Sequence, residues 1–225
     1  MKLLEVIQTE DGSSSLLNVN LNETYHSIYG AIQESRHVFI ESGLNYLLQR
    51  SQIKSISILE IGFGTGLNAL LTALSAEKMN LKIAYETVEA FPLSVATIAQ
   101  LNYPDKLNSE EAKPIFSQLH SEWNKHQIIS KNFALLKREV KLQEADFVKE
   151  KFDLVYFDAF APDKQPEMWG RDVLQKVADA MKPQAVFVTY SAKGQLKRDL
   201  VSLGLSVEKI PGPPGKREMI RAVKS

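Results

Sequence analysis

Residues 55–68, Ser-Ile-Ser-Ile-Leu-Glu-Ile-Gly-Phe-Gly-Thr-Gly-Leu-Asn, constrain this chain more than any other stretch. Ile56, Ile58, Leu59 and Ile61 read as a parallel strand with apolar residues on both faces, as a strand inside a covered sheet requires. Gly62, Gly64 and Gly66 follow at once, and from Leu67 the run Asn-Ala-Leu-Leu-Thr-Ala-Leu favours a helix reaching about Lys78. Strand, glycine turn and helix in that order open a nucleotide-binding α/β unit. The spacing is G-x-G-x-G, not the G-x-G-x-x-G that sets a helix N-terminus against a pyrophosphate. S-adenosylmethionine carries no phosphate, and an acidic residue just ahead of the glycines can meet its ammonium group. Glu60 stands there, so Glu60, Gly62, Gly64 and Gly66 are expected along the methionine half of that cofactor, with Asn68 a further cofactor-binding residue. A tight turn without a ligand is the alternative, and the end of the next strand argues against it.

That next strand is Leu81–Glu89, and it closes on an acidic residue about twenty positions past the glycines, where a carboxylate can take both ribose hydroxyls of an adenosine. Phe91-Pro92 is read as opening a helix, with proline at a tolerated first-turn position. Residues 104–133 read as mostly helical, an insertion or lid with no role assigned. The segment 133–146 reads as one or two strands ending at Asp146, expected beside the adenine. Residues 151–158 form the next central strand, ending at Asp158. Ligands of open α/β sheets sit outside the carboxyl ends of the strands, so Glu60, Glu89, Asp146 and Asp158 are expected to converge on one crevice. A helix at 170–182, a strand at 185–191, a helix at 193–203 and two final strands joined by the loop Pro211–Arg217 complete the pattern. Two strands with no helix between them imply an antiparallel edge. The fold expected is a Rossmann-type class I methyltransferase, an α/β domain with a mostly parallel seven-stranded sheet whose last strand is antiparallel.

Residues 1–50 read as an N-terminal appendage of hairpin and helix, and 51–225 as the Rossmann-type domain. Asp11-Gly12 is a turn signal, Ser15–Leu21 a strand of a hairpin, and Ala31–Arg50 a helix with Val38, Phe39, Leu44, Leu47 and Leu48 on its apolar face. Amphipathicity does not explain the polar density just upstream, which includes Tyr25, His26, Gln33 and Glu34. His26 and His37 lack the spacing of a metal-ligand pair.

Composition narrows the function classes. The 225 residues include no cysteine, which removes disulfides, cysteine–zinc sites and thiol nucleophiles together. The charged N-terminus does not suit a signal peptide, no apolar run is long enough to span a membrane, and the expected location is cytoplasmic. Formal net charge is zero, so no global field draws in a nucleic acid. Residues 193–225 nevertheless hold eight Lys/Arg against three acids, a local excess of five.

Several stretches together resemble one specific family, the methyltransferase half of the bifunctional tRNA enzyme MnmC and its stand-alone relatives. They are Asp11-Gly-Ser, Tyr25–Ile40, Leu59–Asn68, Phe157-Asp-Ala-Phe-Ala-Pro-Asp-Lys-Gln-Pro-Glu-Met-Trp169, Ser191–Gly194 and Pro211-Gly-Pro-Pro-Gly-Lys-Arg-Glu-Met219. The glycine turn alone is shared by a large superfamily, whereas the 157–169 and 211–219 stretches are far more specific. The resemblance implies S-adenosylmethionine-dependent N-methylation of 5-aminomethyl-(2-thio)uridine at the tRNA wobble position. It implies no metal, and no FAD, because the oxidase domain that makes the amine in the bifunctional enzyme has no room here. Another enzyme is then expected to supply the aminomethyl base, and no membrane partner is expected.

On this reading Asp158 is the catalytic residue, placed to accept a hydrogen bond from the amine and to help take its proton. Phe160 and Tyr25 are candidates to pack on the uracil, with Trp169 and Tyr190 as further aromatic candidates. Gln33 and Glu34 are substrate-side polar groups, and Lys193, Lys216 and Arg217 are candidate phosphate contacts. Two other readings stay open: methylation of a small-molecule or protein amine, and a cofactor-binding protein without turnover.

Overall fold

The computed structural model describes residues 3–51 and 53–225. The N-terminal segment forms a small antiparallel sheet of β1 (Leu4–Gln8), β2 (Ser14–Asn18) and β3 (Glu23–Thr24) in that order. Asp11 stitches its first turn. Its Oδ1 accepts from the Ser13 N–H at 2.9 Å and from the Thr9 hydroxyl at 2.8 Å, while Oδ2 accepts from the Gln33 N–H at 3.1 Å. The short side chain of the Asp-Gly signal therefore ties the hairpin to the helix that follows.

That helix, α1, runs without a break through Ala31–Ser35, Arg36–Asn45 and Tyr46–Arg50, and its middle portion is wound as a π-helix. Val38, Phe39, Leu44 and Leu47 are buried as expected, and Leu48 is half-buried. These residues, with Leu16 from the hairpin, pack in the same core as Ile58, Tyr156 and Val188 of the large sheet. Packing is thus continuous across the expected boundary between residues 50 and 51.

The large sheet follows from β4 (Ser55–Ile61), α2 (Leu67–Met79), β5 (Lys82–Glu89), α3 (Val95–Ile98), α4 (Tyr103–Lys106), α5 (Ala112–Leu119), β6 (His126–Ser130) and β7 (Phe133–Glu139). It continues with β8 (Phe152–Phe157), α6 (Arg171–Ala180), β9 (Met181–Thr189), α7 (Gly194–Ser202), β10 (Leu205–Pro211) and β11 (Glu218–Lys224). The strand order is β10-β11-β9-β8-β4-β5-β7-β6. Strands β7, β5, β4, β8 and β9 are mutually parallel, while β11 runs antiparallel to both β9 and β10. Period-two alternation sorts the core into two layers. Ile56, Ile58, Tyr85 and Tyr156 face one side with α1 and α2, and Leu59, Ile61, Val155 and Phe157 face the other with α6 and α7.

Three details differ from the sequence reading. Among the described residues the large sheet has eight strands rather than seven, because His126–Ser130, within the stretch read as mostly helical, pairs antiparallel with β7. Its alternating burial, with Gln127 and Ile129 turned inward, suits a strand. The helix expected to open at Phe91-Pro92 opens at Val95 instead, since the Ser94 hydroxyl caps it by accepting the Thr97 N–H at 3.1 Å. The last strand is interior, and β10 forms the edge. Among the described residues, no helix is long and apolar enough to cross a membrane.

Candidate functional site

Strand β4 sits where the winding of the sheet reverses: the chain leaves it toward β5 on one side and later returns as β8 on the other. Outside the carboxyl ends of these strands lies a cavity of 650 Å³. This is within the roughly 300–1,000 Å³ range of small-molecule sites.

The glycine turn makes one wall. Gly62 holds φ at +89°, and a Cβ there would lie 2.5 Å from the Asp158 carbonyl oxygen, so a side chain would force the ends of β4 and β8 apart. The Asp158 N–H donates to the Ile61 carbonyl at 2.9 Å and locks that junction. Glu89, at the end of β5, accepts the Gly64 N–H at 3.1 Å and the Phe91 N–H at 2.8 Å. Its carboxylate therefore fixes the turn as well as facing the cavity. Asn68, in the first turn of α2, lines the same wall and donates from Nδ2 to Asp158 Oδ2 at 2.8 Å.

Asp158 joins this wall to the opposite end of the cavity. Burial, aided by the negative charge of Glu34, pushes its carboxyl up to about 7, against the pull of the Asn68 hydrogen bond and the Lys216 charge. The loop that follows is pinned from two directions: the Tyr190 hydroxyl donates to the Ala159 carbonyl and the Trp169 indole N–H to the Phe160 carbonyl, each at 2.8 Å. Tyr25 and Phe160 meet edge to face with centroids 5.0 Å apart. Glu34, 6% exposed, accepts the Ser27 N–H at 2.7 Å on one oxygen and the Lys216 ammonium at 2.7 Å on the other. That ammonium lies 3.9 Å from the centroid of the Tyr190 ring. Nearby, His26 pairs through Nε2 with the Thr65 hydroxyl at 2.8 Å, and burial lowers its imidazole to about 4, so it stays neutral at neutral pH.

Of the expected residues, Gly62, Gly64, Asn68, Glu89, Asp158, Tyr25, Glu34, Phe160, Tyr190 and Lys216 line this one cavity. Glu60 does not. The pleat of β4 turns it toward the side of Ile56 and Ile58, where it is 0% exposed and flanked in register by Thr87 and Tyr156. Burial pushes its carboxyl up to about 8, and the Asp158 charge adds to the rise. Glu60 therefore lies beneath the cavity floor and not among the residues that line it. Gly66 shapes the turn from below, packed against His120 and Phe63.

Asp146 also lies elsewhere. Strand β7 stops at Glu139, the chain turns, and Asp146 is exposed, its carbonyl accepting from Arg138 at 2.8 Å. Leu142, Gln143 and Glu144 line the cavity in its place, so the four acids do not converge. Gln33 is exposed and engages Asp11 through its backbone. Lys193 pairs with Asp163 on the exterior at 2.8 Å, and Arg217 is exposed away from the cavity. Lys216, expected on phosphate, instead turns inward to Glu34. Trp169 belongs to the core, against Phe157.

The segment 104–133 also has a place. Trp123 and His120 back the Phe63 ring of the glycine turn, and the fully buried Lys137 ammonium lies 4.5 Å from the Trp123 centroid and 5.2 Å from that of Phe63. Burial lowers this lysine to about 8. A lysine inside an apolar-alternating strand was the available signal.

The sequence model of a family described as S-adenosyl-L-methionine-dependent methyltransferase matches residues 110–225. The tRNA 5-methylaminomethyl-2-thiouridine biosynthesis bifunctional protein MnmC of Campylobacter hominis is 32% identical over 213 residues, 92% of this chain and 31% of that protein. The protein of the same name from Pseudomonas paraeruginosa is 28% identical over 223 residues, 93% of this chain and 34% of its own. The chain thus spans about a third of the length of these curated relatives. A crystal structure of MnmC2 from Aquifex aeolicus superposes with a TM-score of 0.80 at 25% identity, covering 99% of this chain and 70% of that one. The CurJ carbon methyltransferase, at a TM-score of 0.53 and 13% identity, shares the fold alone.

Proposed function

We propose, since the chain belongs to the family of S-adenosyl-L-methionine-dependent methyltransferases, that it methylates the primary amine of 5-aminomethyl-(2-thio)uridine at the wobble position of tRNA. The similarity to proteins named for 5-methylaminomethyl-2-thiouridine biosynthesis suggests the acceptor. The observation that carries the reading is Asp158, half-buried in the cavity wall between the glycine turn and Tyr25, Phe160 and Glu34.

The residues present fit the cofactor. Gly62 and Gly64 line the cavity, Asn68 and Glu89 offer polar groups, and Val88, Phe91 and Leu142 offer an apolar surface for a base. When bound there, S-adenosylmethionine supplies an electrophilic methyl group on a sulfonium. Everything else falls to the chain. A primary alkyl amine resembles lysine, with a reference pKa of about 10.4, and is mostly protonated at neutral pH. Only its neutral form has a lone pair to offer. Asp158, its proton affinity raised into the neutral range, accepts a hydrogen bond from the amine, takes its proton and directs the lone pair into the cavity. Asn68 holds that carboxylate by one oxygen and leaves the other free to turn to the acceptor. Alignment of this kind supplies about 7–11 kcal/mol in favourable cases. Phe160 and Tyr25, packed edge to face on each other, offer one aromatic wall for a wobble base turned out of its stack.

The aminomethyl base itself requires an amine-forming reaction upstream, and with tRNA as substrate the reaction belongs in the cytoplasm. Methyl transfer from labelled S-adenosylmethionine to bulk tRNA, with and without ribonuclease, tests the reading. Label that is lost on ribonuclease treatment and recovered as the 5-methylaminomethyl nucleoside by mass spectrometry supports it. Label in protein or small amines, with none in tRNA, overturns it.

A further inference from the structure

Lys216 is delivered to the cavity by a loop built to hold it. Between β10 and β11 the Gly212 N–H donates to the Arg217 carbonyl at 3.2 Å and the Lys216 N–H to the Pro213 carbonyl at 2.9 Å. Gly215 has φ +84°, and a Cβ there would lie 2.1 Å from the Tyr29 ring, so that ring packs directly on the loop backbone. His37 Nε2 donates to the Pro211 carbonyl at 2.9 Å and anchors the loop's start to α1. The loop thus presents a primary alkylammonium at the cavity wall, 2.7 Å from a Glu34 oxygen and over the face of Tyr190. The proposed acceptor presents the same chemical group, a primary alkylammonium on a short carbon arm, to the same cavity.

We propose that Glu34 and the Tyr190 ring form the subsite that recognises the acceptor's ammonium, and that Lys216 occupies this subsite in the free protein and gives it up when the acceptor amine arrives. The inference rests on the acceptor proposed above. Its physical basis is the cost of a buried carboxylate without a partner. Glu34 is 6% exposed and has one oxygen committed to the Ser27 N–H, so its other oxygen needs a cation in every state. Exchange of one ammonium for another keeps it paired, with a ring face available for the cation in both states. A hydroxyl in the acceptor's place carries no charge to exchange, so the site rejects it and Lys216 stays in place. Lys216 therefore acts as an internal competitor: it lowers affinity for every acceptor and sharpens the choice of an amine.

The experiment uses two anticodon stem–loop RNAs, one with 5-aminomethyluridine and one with 5-hydroxymethyluridine at the wobble position. Equilibrium binding of each is measured to the full chain saturated with S-adenosylhomocysteine. The wild-type protein is expected to prefer the amine by about tenfold or more, in line with a charged hydrogen bond. Glu34→Gln should reduce that preference to within about twofold. Lys216→Met should keep it and tighten the amine RNA by about threefold or more, as removal of a competing state does. Full preference in Glu34→Gln overturns the proposal. So does a Lys216→Met protein that binds the amine RNA more weakly than wild type, which would mark the lysine as a phosphate contact or a structural partner. If Glu34→Gln does not fold, by circular dichroism and S-adenosylhomocysteine affinity, the Lys216→Met result decides alone. Methyl transfer by the wild-type enzyme to the amine RNA is run in parallel. Its absence defeats the acceptor assignment, whereas transfer with an unaltered preference in Glu34→Gln defeats the subsite alone.

Discussion

The two ends of the cavity are built in opposite ways. The proposed cofactor end is local: Gly62, Gly64 and Asn68 lie within seven consecutive residues running from the end of one strand into the first turn of one helix, with Glu89 added from the neighbouring strand. The proposed acceptor end is assembled from Glu34, Phe160, Tyr190 and Lys216, with Tyr25, whose ring also lies against Gly64, and the chain delivers them from the β3–α1 connection, helix α1, a strand end and two loops. A hydrogen-bonded turn can be set by its own residues, whereas a charged subsite needs opposite charges from distant segments to meet. Asp158 stands between the two ends, bound to the cofactor side through Asn68 and influenced by the acceptor side through Glu34 and Lys216.

The sharpest way to break this division is at Asp158. Asp158→Ala should lower single-turnover methyl transfer to aminomethyl-bearing tRNA by about two to four orders of magnitude, the range for a positioned acid–base group. Its S-adenosylmethionine affinity by calorimetry should stay within about fivefold, since only a hydrogen bond to Asn68 is lost on that side. A large loss of cofactor affinity with little loss of turnover would assign Asp158 to the cofactor end instead. Glu89→Ala should do the reverse. It frees the Gly64 and Phe91 N–H groups from their carboxylate, and cofactor affinity should fall by about ten- to a hundredfold while binding of the RNA is kept. Unchanged calorimetric affinity in that variant would detach Glu89 from the cofactor.

A smaller effect probes the coupling between the ends. On the proposed mechanism Asp158 acts as a carboxylate, so wild-type kcat/KM should rise with pH through about 7. The groups that influence it are Glu34 and Lys216 from the acceptor side and Asn68 from α2, while its own charge acts on Glu60 beneath and on the Tyr190 hydroxyl. Removing a negative neighbour favours the ionised form, so Glu34→Gln should move that limb to lower pH, whereas Lys216→Met should move it to higher pH. A pH–rate profile of kcat/KM, which reports the free enzyme, that is identical in all three proteins would show the ends to be uncoupled.

The smallest effect concerns Glu60, which lies under both ends. Its folded-state pKa, about 8, lies above the usual carboxylate value of 4.5. The stability linked to it is fully present below about 4.5 and is lost as pH rises through about 8. Glu60→Gln should remove this loss, so that melting temperature declines less between pH 5 and 8 in the variant than in the wild type, with cofactor affinity little changed. A strong loss of cofactor affinity would return Glu60 to the cavity.

Read from residues alone, the chain determined its strand–turn–helix nucleus, the doubly wound alternation after it, and Asp158 at a strand end, because each depends on periodicity and on backbone that only glycine adopts freely. The 157–169 and 211–219 stretches carried the resemblance but not the direction of their side chains. Tertiary structure alone decided that Glu60 faces the core, since the pleat of β4 can be oriented only once α2 lies on it. It also decided that β7 ends at Glu139, leaving Leu142–Glu144 and not Asp146 at the cavity, because a strand ends where its neighbour's pairing stops and β5 pairs with it only to Glu89. The eighth strand, too, became legible only through its partner. Lys216 looked like a surface cation in a basic tail; the loop that Tyr29 and His37 hold in place aims it at Glu34, 182 positions away. Contacts at that separation leave no trace in local pattern, because nothing in the spacing of either residue depends on the other until the chain has closed around them both.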